Sequence, residues 1–157
     1  MISWSDFKVQ QPELARQGAD LLYHFGVGLA FLGTVRPDGG PRLHPVCPLL
    51  TGAGLYAFII PSPKQADLHR DGRYAMHSYP LDDSEDAFYL SGVAGHVPDS
   101  LTRDRLARQF ADERSDFALP PPGEEQHLFE FHVHAAMLTR TTGHGDPSPQ
   151  HTIWRAA

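Results

Sequence analysis

The sequence predicts a mainly β, α+β domain: an antiparallel, barrel-like sheet with flanking helices. Short apolar segments recur along 157 residues, and most links between them are too short for the crossovers that parallel strands need. Fourteen glycines and 14 prolines supply the turns such a chain requires. Val27 to Val35 is apolar at nearly every position, as expected of a strand covered on both faces, in a closed barrel or at a subunit contact.

Length and composition bound the rest. A chain of 157 residues fits one domain, residues 1–157, and normally buries about two-thirds of its unfolded surface. With 41% hydrophobic and 20% charged residues it is an ordinary globular composition. The net charge of −6, with basic residues scattered, argues against a nucleic-acid partner. Cys47 is the only cysteine, so an intrachain disulfide is impossible and a reducing compartment is the simplest home. MISWSDFKVQQPEL has no basic region leading into an apolar run, and no stretch reaches the roughly 18 apolar residues that cross a bilayer. The expected setting is therefore cytoplasmic, with no membrane partner.

The first 26 residues form the N-terminal helical segment. From Pro12 to Phe25, Leu14, Leu21, Leu22 and Phe25 recur near helical spacing, with Pro12 opening the helix and Gly26 ending it. After the Val27 to Val35 strand, Arg36-Pro37-Asp38-Gly39-Gly40 is a turn, and Leu43 to Leu50 returns as the partner strand. Leu55 to Ile60 is a third strand. Tyr74 to Tyr79 is a fourth, after a short helix that Gly72 closes. Pro80 to Glu85 is an acidic loop, and Ala87 to Val97 a longer strand in which Gly92 and Gly95 mark a bulge or bend. Asp99 or Ser100 caps a helix to about Arg114, with Leu101, Leu106 and Phe110 facing inward. Pro120-Pro121-Pro122 is a stiff connector. His127 to Leu138 alternates, with Phe129, Phe131 and Val133 on one side and Glu130, His132 and His134 on the other. Residues 142–157 form a loop and a short strand at Thr152 to Trp154. The sum is about six strands and three helices.

The stretch AFIIPSPKQADLHRDGR, Ala57 to Arg73, is the most informative. Ser62 can cap a helix, Pro63 suits its first position, and Gln65 completes a capping-box spacing. A strand should therefore turn sharply into a helix, whose free amides and dipole favour an anion. Lys64 adds a full positive charge where the dipole disfavours one. Either a phosphate compensates that conflict, or Lys64 is a solvated lysine on a well-capped surface helix.

The order TVRPDGGPRLHPV, a third strand, SPKQADLHRDGR, YAMHSYP and YLSGVAGHVPD followed by a helix resembles the pyridoxamine 5′-phosphate oxidase-like family over about Val27 to Phe110. The resemblance implies a six-stranded split β-barrel, usually a homodimer, with FMN between the subunits. It implies that Ser62 and Lys64 hold the FMN phosphate, that His44 lies at a basic phosphate contact, and that Pro45, Val46 and Ile59 border the flavin. Trp154 resembles a C-terminal tryptophan that closes over the isoalloxazine. The family's name-giving enzymes typically carry arginine where Pro63 stands, lysine where Leu49 stands, and a basic substrate clamp near the C-terminus. Their absence implies a generic member acting on another small molecule, and leaves F420 or haem as alternatives to FMN. A flavin carrier or sensor without catalysis is the other class of function. No side chain is assigned as catalytic, because hydride chemistry belongs to the cofactor.

The 10 histidines show no HExxH or paired Cys/His spacing, so no metal site is expected from sequence. Cys47, between prolines, is either a reactive thiol or a small hydrophobe. His77 faces either a substrate pocket or solvent.

Overall fold

In a computed structural model, which describes residues 1–117 and 119–157, a single antiparallel sheet curls into a half-barrel. Its strands are β1 (Ala30–Val35), β2 (Pro41–Val46), β3 (Leu49–Leu50), β4 (Leu55–Ile59), β5 (Arg73–Ser78), β6 (Ala87–His96), β7 (His127–Arg140) and β8 (Gln150–Arg155). Four α-helices accompany them among the described residues: α1 (Trp4–Gln10), α2 (Pro12–Leu22), α3 (Pro63–Arg70) and α4 (Ser100–Glu113). The strand order is β2-β1-β5-β6-β7-β4-β3, with β8 also paired to β7. Long β7 forks: His127 to Glu130 pairs with β4, and Ala135 to Arg140 pairs with β8.

Curling is forced by chain connectivity. The strands β2 and β3 stand at opposite ends of the strand order, yet only Cys47 and Pro48 separate Val46 from Leu49. Three Cα steps reach at most about 11 Å. The two sheet edges must therefore meet, and Gly28 marks the seam, where a Cβ would lie 1.9 Å from the Pro48 carbonyl oxygen. The buried Arg114 guanidinium donates to the Gly28 carbonyl at 3.1 Å from the end of α4.

The core lies inside the curl. Leu32, Leu90, Phe129, Phe131 and Val133 have no solvent exposure. The N-terminal helical segment holds a second helix, α1, before the one expected from Pro12; Ser3 caps it, and Trp4 and Phe7 turn inward one helical turn apart. Burial of Phe7 alone contributes about 1.5–3 kcal/mol.

Several expectations need correction. Eight strands replace six, because Pro48 breaks the Leu43 to Leu50 segment and the C-terminal strand is longer than its apolar part. The first strand begins at Ala30, and only alternate positions of it are buried, since one face is left uncovered in the single chain. Leu101 is 79% exposed at the start of α4. No helix among the described residues is long and apolar enough to cross a membrane.

The strand-to-helix turn forms where Ser62 and Pro63 place it. The Ser62 hydroxyl accepts from the Gln65 amide, and Gly72 leaves the helix at φ +69°. Gln65 does not close a reciprocal capping box. Its side-chain amide donates instead to the carbonyls of Ile59 at 2.7 Å and Glu125 at 3.0 Å. Only Asp67 and Leu68 of α3 are buried. Asp67 accepts from Arg42 on β2 at 2.7 Å, Thr34 on β1 at 3.0 Å and Arg70 on its own helix at 3.1 Å. Burial alone would raise its pKa, but these three donors together hold it below the ordinary carboxylate value. Asp67→Ala strands two arginines, both partly solvated, and should cost about 2–4 kcal/mol. Urea denaturation checks this; a loss under 1 kcal/mol would mean that α3 is held by something else.

Candidate functional site

A cavity of about 340 Å³ opens at the seam, where β2 runs out and α3 begins. Pro45, Val46 and Cys47 form one wall; Phe58, Ile60 and Lys64 form another. Leu29, Tyr79, Phe110 and Gln126 complete it. The aromatic walls brace one another. Tyr79 stacks on Phe31 with centroids 4.7 Å apart and planes 11° from parallel, while Phe58 meets Phe110 edge-on at 6.1 Å. Arg103 on α4 lies over Phe58 and donates to the Pro122 and Gly123 carbonyls.

Lys64 brings unbalanced positive charge to this mainly apolar space. Its side chain is half-buried and, among the described residues, has no ion-pair partner. Burial lowers its pKa, and the nearby Cys47 thiol only partly opposes the shift. His44 is equally uncompensated. Its Nε2 is buried with no hydrogen-bond partner, the single such side-chain atom among the described residues. Burial first, then the charges of Lys64 and Arg42, lower its pKa. An orphaned buried nitrogen normally costs about 1–3 kcal/mol. Of the first-turn amides of α3, Pro63 has none and Gln65 donates to Ser62, so the Lys64 N–H joins these groups beside the apolar cavity, an arrangement suited to an anion.

The predicted site residues divide. His44, Ser62 and Lys64 gather at the turn, and Pro45 and Val46 line the cavity beside them. Ile59 is elsewhere: it has no exposure and belongs to the main core. Strand alternation puts Phe58 and Ile60 at the cavity instead, so these were the residues missed, and the period of two was the signal. Trp154 is also elsewhere in this chain. It pairs with Ala136 and packs its ring on Phe7 at 4.9 Å, under α1. His77 is exposed and makes a ring-nitrogen contact of 2.7 Å with the carbonyl of Ser78, away from the cavity. Cys47 lines the cavity.

No family model matches the chain, and no curated protein sequence does so either. Solved structures do match. A putative pyridoxamine 5′-phosphate oxidase from Listeria innocua is 16% identical, with a TM-score of 0.63 over 80% of this chain and 98% of that one. A heme binding protein from Mycobacterium smegmatis is 16% identical, with a TM-score of 0.63 over 86% and 56%. An F420 reductase is 20% identical, with a TM-score of 0.57 over 69% and 87%. At such identities the likeness concerns the fold, and the fold is that of the pyridoxamine 5′-phosphate oxidase-like split barrels.

The site's charge gives stability a pH dependence. The folded pKa of His44 lies below its ordinary 6.5, so the unfolded chain takes up its proton first as pH falls. Stability should therefore decline from about pH 6.5 downward and level off below the folded pKa. His69 and His96, also lowered, add the same sign. Thermal melts of the ligand-free protein between pH 7 and 5 should show this decline, flattened in part by His44→Gln. An identical slope in the variant would remove His44 from the account.

Proposed function

We propose that this chain binds FMN, its phosphate at the α3 turn, and serves as a homodimeric oxidoreductase toward a small organic substrate. The observation that carries the reading is the pairing of two uncompensated cationic or hydrogen-bonding groups, Lys64 and His44, with a mainly apolar, aromatic-walled cavity. That is the division of labour a phosphate-tailed aromatic ring system calls for: charge at one end, apolar walls at the other. The solved structures of like fold include an F420 reductase and a heme binding protein, which supports a redox-active ligand as the reading here.

Each wall has a role in this reading. Lys64 holds the phosphate through its ammonium and its backbone N–H, with His44 Nε2 completing the hydrogen bonds. Backbone and side chains of Pro45 and Val46 border the ring, while Phe58, Ile60 and Phe110 exclude water. FMN supplies the hydride and electron transfer itself. Dimerisation fits two exposed features. Ile60 at the cavity is 53% exposed, and edge strand β2 presents Leu43 at 67% exposure. A second copy laid across β2 would cover both.

Protein purified gently should be yellow, carry one FMN per subunit, and sediment as a dimer. Lys64→Ala should weaken FMN binding by about 1.5–3 kcal/mol, the scale of a charge-assisted hydrogen bond, without changing the fold by circular dichroism. Colourless protein whose melting temperature does not respond to FMN would overturn the reading. A Soret band, or preference for deazaflavin, would replace FMN with haem or F420.

A further inference from the structure

Three histidines that the flavin reading does not use meet at the other end of α3. His69 comes from the last turn of α3, His96 from the end of β6, and His127 from the start of β7. Their ring centroids form a nearly equilateral triangle, 5.0 Å for each of the three pairs. Phe129, with no exposure, lies beneath them, its ring centroid 4.9 Å from His69 and 5.7 Å from His96. His69 and His96 are open to solvent on the other side.

That spacing is the spacing of ligands. Imidazoles sharing one tetrahedral zinc have Zn–N bonds of about 2.0–2.1 Å, which with the ring radius puts their centres roughly 5 Å apart. Among the described residues no group of three or more His, Cys, Asp or Glu side chains stands arranged to hold a metal ion, this cluster included. In this cluster His69 Nε2 and His127 Nδ1 close on each other in a 2.7 Å hydrogen bond. Two nitrogens on one tetrahedral zinc sit about 3.3 Å apart, so parting these two by roughly 0.6 Å converts a proton-bridged pair into a ligand pair. His69 is exposed and His127 half-buried, so the change asked for is one of side chains at the surface. His96 has no side-chain hydrogen bond to lose, and water can take the fourth position from the solvent side.

We propose that His69, His96 and His127 bind one divalent transition-metal ion, with zinc the best match to three imidazoles and an open position. The metal would fasten the C-terminal end of α3 to β6 and β7, while Asp67 fastens the same helix to β1 and β2. The three residues lie 27 and 31 positions apart in sequence, which is why no motif spacing announces them.

The test uses full-length, tag-free protein stripped with EDTA and studied without flavin, so its outcome is independent of the anion seat. Zinc should bind at one equivalent per chain by calorimetry and raise the melting temperature. Cobalt(II) should give the visible bands of a tetrahedral site, displaced by zinc. His96→Gln and His127→Gln should each weaken zinc at least tenfold, beyond the lower end of the 10–100-fold seen even for outer-shell changes, while His132→Gln leaves affinity unchanged. Both variants should keep the metal-free melting temperature of the parent to within a few degrees. Absence of stoichiometric binding, or zinc affinity unaltered by His96→Gln and His127→Gln, would overturn the proposal.

Discussion

α3 has almost nothing apolar with which to hold itself on the sheet. Leu68 is its one buried hydrophobic side chain, and burying a leucine provides only about 1.5–3 kcal/mol. What fixes the helix is a buried carboxylate: Asp67 reaches across to Thr34 and Arg42 on two adjacent strands while Arg70 braces it from the same helix. Those bonds set the orientation of the helix, and with it the place to which its N-terminal amides and Lys64 point. Without that clamp a polar eight-residue helix would have little to specify its position, and the seat at its mouth would have no fixed geometry.

The seam gives the clamp its purpose. Two residues, Cys47 and Pro48, carry the chain from one end of the strand order to the other, so the sheet has to close there, and closure leaves a gap where β2 stops. The helix α3 starts beside that gap. The cavity is thus built from the ends of elements, and the polar groups at and beside it are left unsatisfied: Lys64 in its lining has no counter-ion among the described residues, and the neighbouring His44 Nε2 has no partner. A protein core does not normally tolerate such groups. A phosphate dianion would satisfy both at once.

Much of this was legible in the sequence because it is local. Ser62 and Pro63 announce the turn, and Lys64 conflicts with the helix dipole within a single turn. The alternation of Phe129, Phe131 and Val133 is likewise a nearest-neighbour signal, and the structure follows it. What escaped was non-local or depended on phase. Ile59 and Ile60 are chemically equivalent, and only the strand register decides which one faces the core. The helix α1 is seven residues long, too short for a periodic pattern to stand out, and is held by tertiary burial of Trp4 and Phe7. Trp154 packs on that same helix, a contact between the two ends of the chain that no local pattern announces. The histidine triangle joins three separate elements and has no sequence period at all.

The account rests on the claim that the seat at α3 recognises a phosphate and not merely an aromatic ring. The most direct measurement compares the affinity of the flavin-free protein for FMN and for riboflavin, which differ only in that phosphate. With Lys64 and His44 each contributing on the scale of a charge-assisted hydrogen bond, FMN should bind roughly a hundredfold tighter or more. Equal affinity for the two would show that the ring is held without the seat, and would contradict the account.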